Sequence, residues 1–180
     1  MRTLAASLAC LLLLAASPSR GEEPAETSPE ETAAAAPPQT PEQEVRTLGD
    51  YGIAYTTKAL QGGAEFYPFA FVMRTDGAIQ RIAPGEMPRF PTQVELLQTL
   101  ESGFAEPAVN VKYRAIALVA DVVIAMPDGR ESEAIQLALE HREGYCRNVF
   151  YPYTLSEEGV LSFEKPVSGK RTGKIFTACN

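Results

Sequence analysis

Residues 113–153 read YRAIALVADVVIAMPDGRESEAIQLALEHREGYCRNVFYPY. Three runs rich in Ala, Val, Ile, Leu and Tyr are separated by Pro127-Asp128-Gly129 and Arg142-Glu143-Gly144. Apolar runs bounded by an acidic residue and Gly mark strands joined by tight turns. The stretch predicts a three-strand antiparallel meander: Tyr113 to Met126, Arg130 to Arg142 and Tyr145 to Tyr153. If Asp128-Gly129 and Glu143-Gly144 form two-residue turns, Val122 faces Ile135, Ala120 faces Leu137 and Leu118 faces Leu139. His141 then faces Cys146, and Leu137 faces Phe150. Side chains alternate along a strand, so this register gathers the large aliphatic groups on one face, where helices would cover them. The other face combines small residues such as Ala115, Ala117, Ala134 and Ala138 with Asp121, Gln136, Glu140, Arg147 and Tyr151. In this register Asp121 lies opposite Gln136, and Glu140 opposite Arg147.

Upstream of the meander, Glu65 to Thr75 and Ala78 to Ala83 flank Asp76-Gly77 and read as another hairpin, with Pro68 marking an edge or a bulge. A last strand is expected from Val160 to Glu164. Thr40-Pro41-Glu42-Gln43 is a helix start: a capping Thr, Pro at the first helical position, and Gln three residues on. That helix ends at Gly62-Gly63. Thr92-Gln93-Val94-Glu95 is a second capping box, followed by Leu97, Leu100 and Phe104 at helical spacing, and Glu106-Pro107 closes it. The order α-β-β-α-β-β-β-β predicts an α+β fold, a single antiparallel sheet with two helices packed on one face. This order is similar to that of profilin-like and roadblock-like domains. No residue motif accompanies it, and order alone implies no function.

The termini have a different composition. Met1-Arg2, an apolar block from Leu4 to Ala16 and small residues before Gly21 have the pattern of a secretory signal peptide over residues 1–21, too short an apolar run to span a bilayer. Cys10 precedes the richest apolar block and is expected to leave with that segment. Between Glu22 and Glu44 there are seven Glu and no Lys or Arg. Residues 22–40 therefore read as a disordered acidic tether, 41–167 as the α+β domain and 168–180 as a basic C-terminal tail. Without the signal and the seven Glu of residues 22–44, 16 acidic and 14 basic residues remain. That near-neutral balance argues against nucleic acid as a partner. With no second apolar span, no stable membrane span is expected after signal removal, and the predicted location is periplasmic or secreted.

No catalytic set, metal site or cofactor site is predicted. There is no phosphate-binding Gly-rich loop and no Gly-x-Ser-x-Gly elbow. His141 is the only histidine and is read as a core cap. It could pair with Cys146 as base and nucleophile, but an exported thiol is usually oxidised. A Cys146–Cys179 disulfide, pinning the tail to the sheet, is the simpler expectation. Asp121 lies in an apolar run and either meets solvent or is desolvated with a raised pKa. Glu65 to Phe69 and Phe150 to Tyr153 are two aromatic-Pro-aromatic patches that could line a shared groove. The functional expectation is an exported, non-catalytic domain that binds an unknown protein or self-associates through the exposed sheet face, at Asp121, Gln136, Glu140, Arg147 and Tyr151. The alternative is a small envelope hydrolase using Asp121, Glu140 and His141.

Overall fold

A computed structural model describes residues 39–85, 91–176 and 178 of the chain. The expected signal peptide, the expected tether up to residue 38, and Cys179 lie outside the described residues.

Both helix starts are built by the capping boxes. Ahead of α1 (Pro41–Gln61), the Thr40 hydroxyl accepts the Gln43 N–H at 3.3 Å and the Gln43 side chain accepts the Thr40 N–H at 2.8 Å. Thr92 and Glu95 do the same ahead of α2 (Gln93–Ala105), at 3.2 and 2.9 Å. Each box pairs donors that a helix start leaves open. A single turn, α3 (Pro107–Asn110), follows α2. The strands are β1 (Phe69–Arg74), β2 (Ile79–Ile82), β3 (Tyr113–Ala125), β4 (Glu131–His141), β5 (Cys146–Leu155), β6 (Leu161–Phe163) and β7 (Val167–Lys170). They form one antiparallel sheet in the order β2-β1-β3-β4-β5, with β6 and β7 both along the outer edge of β5. The α+β class and the element order are as expected, with α3 and β7 added.

The hairpin register differs from expectation by one residue. Every hairpin loop has three residues, not two: Gly77, Gly129, Gly144 and Gly159 each take the last loop position, at φ 88°, 86°, 92° and 78°. In each loop the Gly N–H bonds back to the residue before the loop, and that residue's N–H bonds across to the residue after the Gly, at 2.8–3.0 Å. This is a tight turn followed by a left-handed Gly bulge. The Asp before the Gly stabilises it, since Asp76 Oδ1 accepts the Ala78 N–H and Asp128 Oδ1 accepts the Arg130 N–H. Val122 therefore faces Ala134, Ala120 faces Gln136, and Leu137 faces Val119 on one side and Val149 on the other. The two shifts cancel between β3 and β5, so only β4 is turned over relative to its neighbours.

The helices also occupy opposite faces of the sheet, rather than one. On the first face, Val45, Leu48 and Leu60 of α1 pack with Phe69, Phe71, Val119 and Leu137. On the second face, Leu100 and Phe104 of α2 pack with Val72, Ile116, Leu118 and Ala138. Alternate residues of β1 and β3 are apolar on both sides, and one face cannot bury them all. Leu48, Ile116, Leu118 and Val119 are at most 1 % exposed, each contributing about 2–3 kcal/mol of transfer free energy. The small residues that seemed to leave room for a partner on the first face, Ala115 and Ala117, instead belong to the seat of α1. Gly49 and Gly52 bring that helix down onto Leu137 and Val119.

The segment expected to be a basic tail is part of the fold. It pairs through β7, and Arg171, Ile175 and Phe176 are buried. Glu140, fully buried, accepts the Arg171 Nε–H at 2.7 Å and the backbone N–H groups of Lys174, Ile175 and Phe176 at 3.0 Å each.

Candidate functional site

A helix is about 10 Å across and covers roughly two strands spaced about 4.8 Å apart. α1 rests on β1, β3 and β4, so the first face stays open along both margins. One groove lies beside β2 and another beside β5.

The groove beside β2 has a volume of about 640 Å³. Tyr51 and Tyr55, one helical turn apart, lean outward from α1 onto the β1 rings. Tyr55 meets Phe69 edge-on at 4.9 Å between ring centres, and Tyr51 meets Phe71 at 5.7 Å. Arg81 of β2 pairs with Phe71 in the ladder and so rises on the same face. Its guanidinium lies 4.8 Å from the Tyr55 ring centre and 5.7 Å from that of Phe69. Among the described residues no carboxylate forms an ion pair with it. Phe66, Tyr67, Pro68, Ala59 and Leu96 complete the apolar walls, with Glu65 at the rim. Tyr67 is 63 % exposed. The site can therefore take an apolar body and present the Arg81 cation to it. A guanidinium stacked on an aromatic ring keeps its donor edge for an anion.

The groove beside β5 is about 580 Å³ and is lined by Arg46, Asp50, Tyr145, Arg147, Tyr151 and Ser168, among others. Burial, then the Asp50 charge, raises the Tyr151 hydroxyl above its ordinary range, while Arg46 opposes this. Charges of both signs share these walls, so the groove favours neither cation nor anion.

The residues nominated from sequence separate. Arg147 and Tyr151 meet in the groove beside β5. Asp121 is on the same face and in the same ladder row as Tyr151, with Ile135 between them. It is held by the Tyr153 hydroxyl, which donates at 3.1 Å to either carboxylate oxygen. Burial raises the Asp121 carboxyl above the usual range; the Tyr153 bond opposes this, and the charges of Glu133 and Glu65 add to it. Gln136 and Glu140 are on the second face, because β4 is turned over. The expected Glu140–Arg147 pair is therefore replaced by Glu140–Arg171 and three backbone donors. The two aromatic-Pro-aromatic patches do not share a groove, since Tyr67 lines one and Tyr151 the other.

His141 and Cys146 do not face each other. His141 stands opposite Ala115 on the first face, and Cys146 opposite Glu140 on the second. His141 is buried with Glu44, which also pairs with the partly exposed Arg114: Glu44 Oε2 lies 3.0 Å from His141 Nε2, and Oε1 lies 2.7 Å from Arg114 Nη2. The Glu143 N–H donates to His141 Nδ1 at 3.0 Å. Nδ1 is therefore the unprotonated nitrogen, and Nε2–H donates to Glu44. Asp121 and His141 are six residues apart along the ladder, about 20 Å at strand spacing. With Glu140 on the opposite face, the three groups of the hydrolase reading do not converge. Among the described residues no three His, Cys, Asp or Glu side chains gather as metal ligands would, and no helix is long and apolar enough to cross a membrane.

Sequence reading singled out the Glu65–Phe69 patch but not Arg81 or Tyr55. The alternation of β2 and the i, i+4 pair Tyr51/Tyr55 were legible there, but which face of the sheet α1 would cover was not. No family model matches the chain, and no curated protein or solved structure is significantly similar to it.

Proposed function

We propose that the protein is an exported, non-catalytic binding domain whose groove beside β2 holds a ligand with an apolar or aromatic body and an anionic group. The observation carrying this is Arg81, stacked on Tyr55 and Phe69 at an aromatic-walled groove, with no carboxylate among the described residues in an ion pair with it. Concave, mostly apolar sites with a few convergent polar groups are the usual form of ligand sites. Export rests on the amino-terminal pattern of residues 1–21, followed by the acidic tether from residue 22. The Cys146–Cys179 disulfide belongs to the same proposal. Its support is the packing of Ala178 against the Gly144 turn, with the Ala178 carbonyl oxygen 3.1 Å from the position a Gly144 Cβ would take. That contact brings the chain just before Cys179 beside the turn that leads into Cys146.

The test uses two fluorescent probes on the folded chain, anionic 1-anilinonaphthalene-8-sulfonate and neutral N-phenyl-1-naphthylamine. The anionic probe is expected to bind at one site, at least tenfold more weakly in Arg81→Glu, with dodecanoate displacing it. Tyr55→Ala weakens both probes, while Arg81→Glu leaves the neutral one nearly unchanged. Equal binding of the anionic probe by wild type and Arg81→Glu removes this reading.

A further inference from the structure

The inner half of β3 is paired on both sides, but its outer half is not. The β1 ladder ends at Phe69 opposite Val119. From Ala120 to Ala125, β3 is paired with β4 alone. Met126 N–H bonds to the Arg130 carbonyl at the hairpin loop. By the alternation of an antiparallel ladder, Val122 and Ile124 then direct their backbone groups to β4. Asp121, Val123 and Ala125 direct theirs outward, and among the described residues no backbone group pairs with them.

Val123 is 64 % exposed, and Val122 and Ile124 belong to neither core cluster. Natural sheets usually blunt such an edge with Lys, Pro or a covering segment. The run Ala120-Asp-Val-Val-Ile-Ala125 has no Lys and no Pro, and its one charged group is already held by Tyr153.

We propose that this edge pairs with the same edge of a second copy of the chain, closing a symmetric dimer with a continuous sheet. The segment is complementary to itself about Val123. With a twofold axis through Val123, Asp121 falls opposite Ala125 and Val123 opposite Val123, and these pairs exchange the outward backbone hydrogen bonds. On the α2 side, Val122 falls opposite Ile124, placing apolar groups together where non-hydrogen-bonded pairs approach most closely. No like charges stand directly opposite one another. The contact uses the same patch on both copies, so it closes at two and does not propagate. An extended strand from another protein is the competing occupant, and a second copy is favoured by this match of donors, acceptors and apolar groups. The dimer is independent of the groove beside β2.

Sedimentation equilibrium on the full mature chain tests it. Wild type is expected to be dimeric at micromolar concentration. Val123→Lys places two ammonium groups on the axis and Val123→Glu two carboxylates, and each is expected to weaken the dimer at least tenfold. Mixing the two variants should restore it, because Lys then faces Glu only if Val123 faces Val123. Val123→Pro, which deletes an outward N–H and leaves the β4 ladder intact, provides a second route to the monomer. Binding of the anionic probe stays unchanged in all of these, so failure here is separate from failure of the groove. A wild type that remains monomeric at about 100 μM, a dimer indifferent to both charged variants, or a mixture that does not reassociate would each overturn the proposal.

Discussion

The buried carboxylate of Glu140 accepts the Arg171 guanidinium at 2.7 Å, joining β4 to a segment 31 residues later in the chain. Three backbone N–H groups close around the same carboxylate, and Arg171 and Lys174 reach on to Glu101 at 2.9 and 2.8 Å. Burial alone would raise the Glu101 carboxyl, but the hydrogen bonds from Lys174 and Arg171 outweigh it and hold the group below its usual range.

Removing one member of a buried ionic cluster leaves the others desolvated and unpaired, at a cost of about 3–5 kcal/mol. Glu140→Ala is expected to lower stability by that order, measured by urea unfolding. Amide exchange at Ile175 and Phe176 should accelerate before the sheet opens. A loss under 1 kcal/mol with those amides still protected would show that the segment is held by packing alone.

Gly52 and Gly103 are both helical glycines with opposite expectations. A Cβ at Gly52 would lie 3.0 Å from Val119 and 3.2 Å from Leu137, while at Gly103 nothing lies within 4 Å. Overpacking costs about 1–3 kcal/mol, and replacing Gly by Ala in a helix gains about 1. Gly103→Ala is therefore expected to raise the thermal midpoint and Gly52→Ala to lower it. Stabilisation of both by the same amount would mean that α1 can lift off the sheet freely.

The raised carboxyl of Asp121 sets a sign for pH dependence. Its folded-state value lies above the ordinary 3.8, so the fold favours the protonated form. That contribution is fully present below the ordinary value and is lost as pH rises through the raised one. Ionised Asp121 thus opposes folding at neutral pH. Asp121→Asn keeps an acceptor for Tyr153 and is expected to raise the thermal midpoint at about pH 7, with the advantage shrinking towards about pH 3. An advantage that grows on acidification would reverse the assignment.

The tautomer of His141 is open to direct reading. It is the only histidine, so a single imidazole signal should appear in long-range ¹⁵N spectra. Nε2 is expected to carry the proton, with Nδ1 accepting the Glu143 N–H. In Glu143→Pro, which removes that donor, the Nδ1 shift should move. An Nδ1–H signal in the native chain would contradict the geometry.

The sequence by itself determined both long helices and the first six strands in their order, but not α3 or β7. Both capping boxes, the glycine stops and the acid-Gly loops are local signals, acting within one turn of backbone, and each formed where its residues stand. It could not determine which side of the sheet each strand presents. A loop of two residues and one of three share the same Asp-Gly dipeptide, yet a one-residue shift turns every β4 side chain to the other face. Tertiary packing decided that parity, since only one register buries Leu137 under Gly49 and Gly52 and encloses Glu140 with Arg171. The choice of faces for α1 and α2 followed from the same packing. So did the groove at Arg81 and the bare edge of β3, which exist where packing stops.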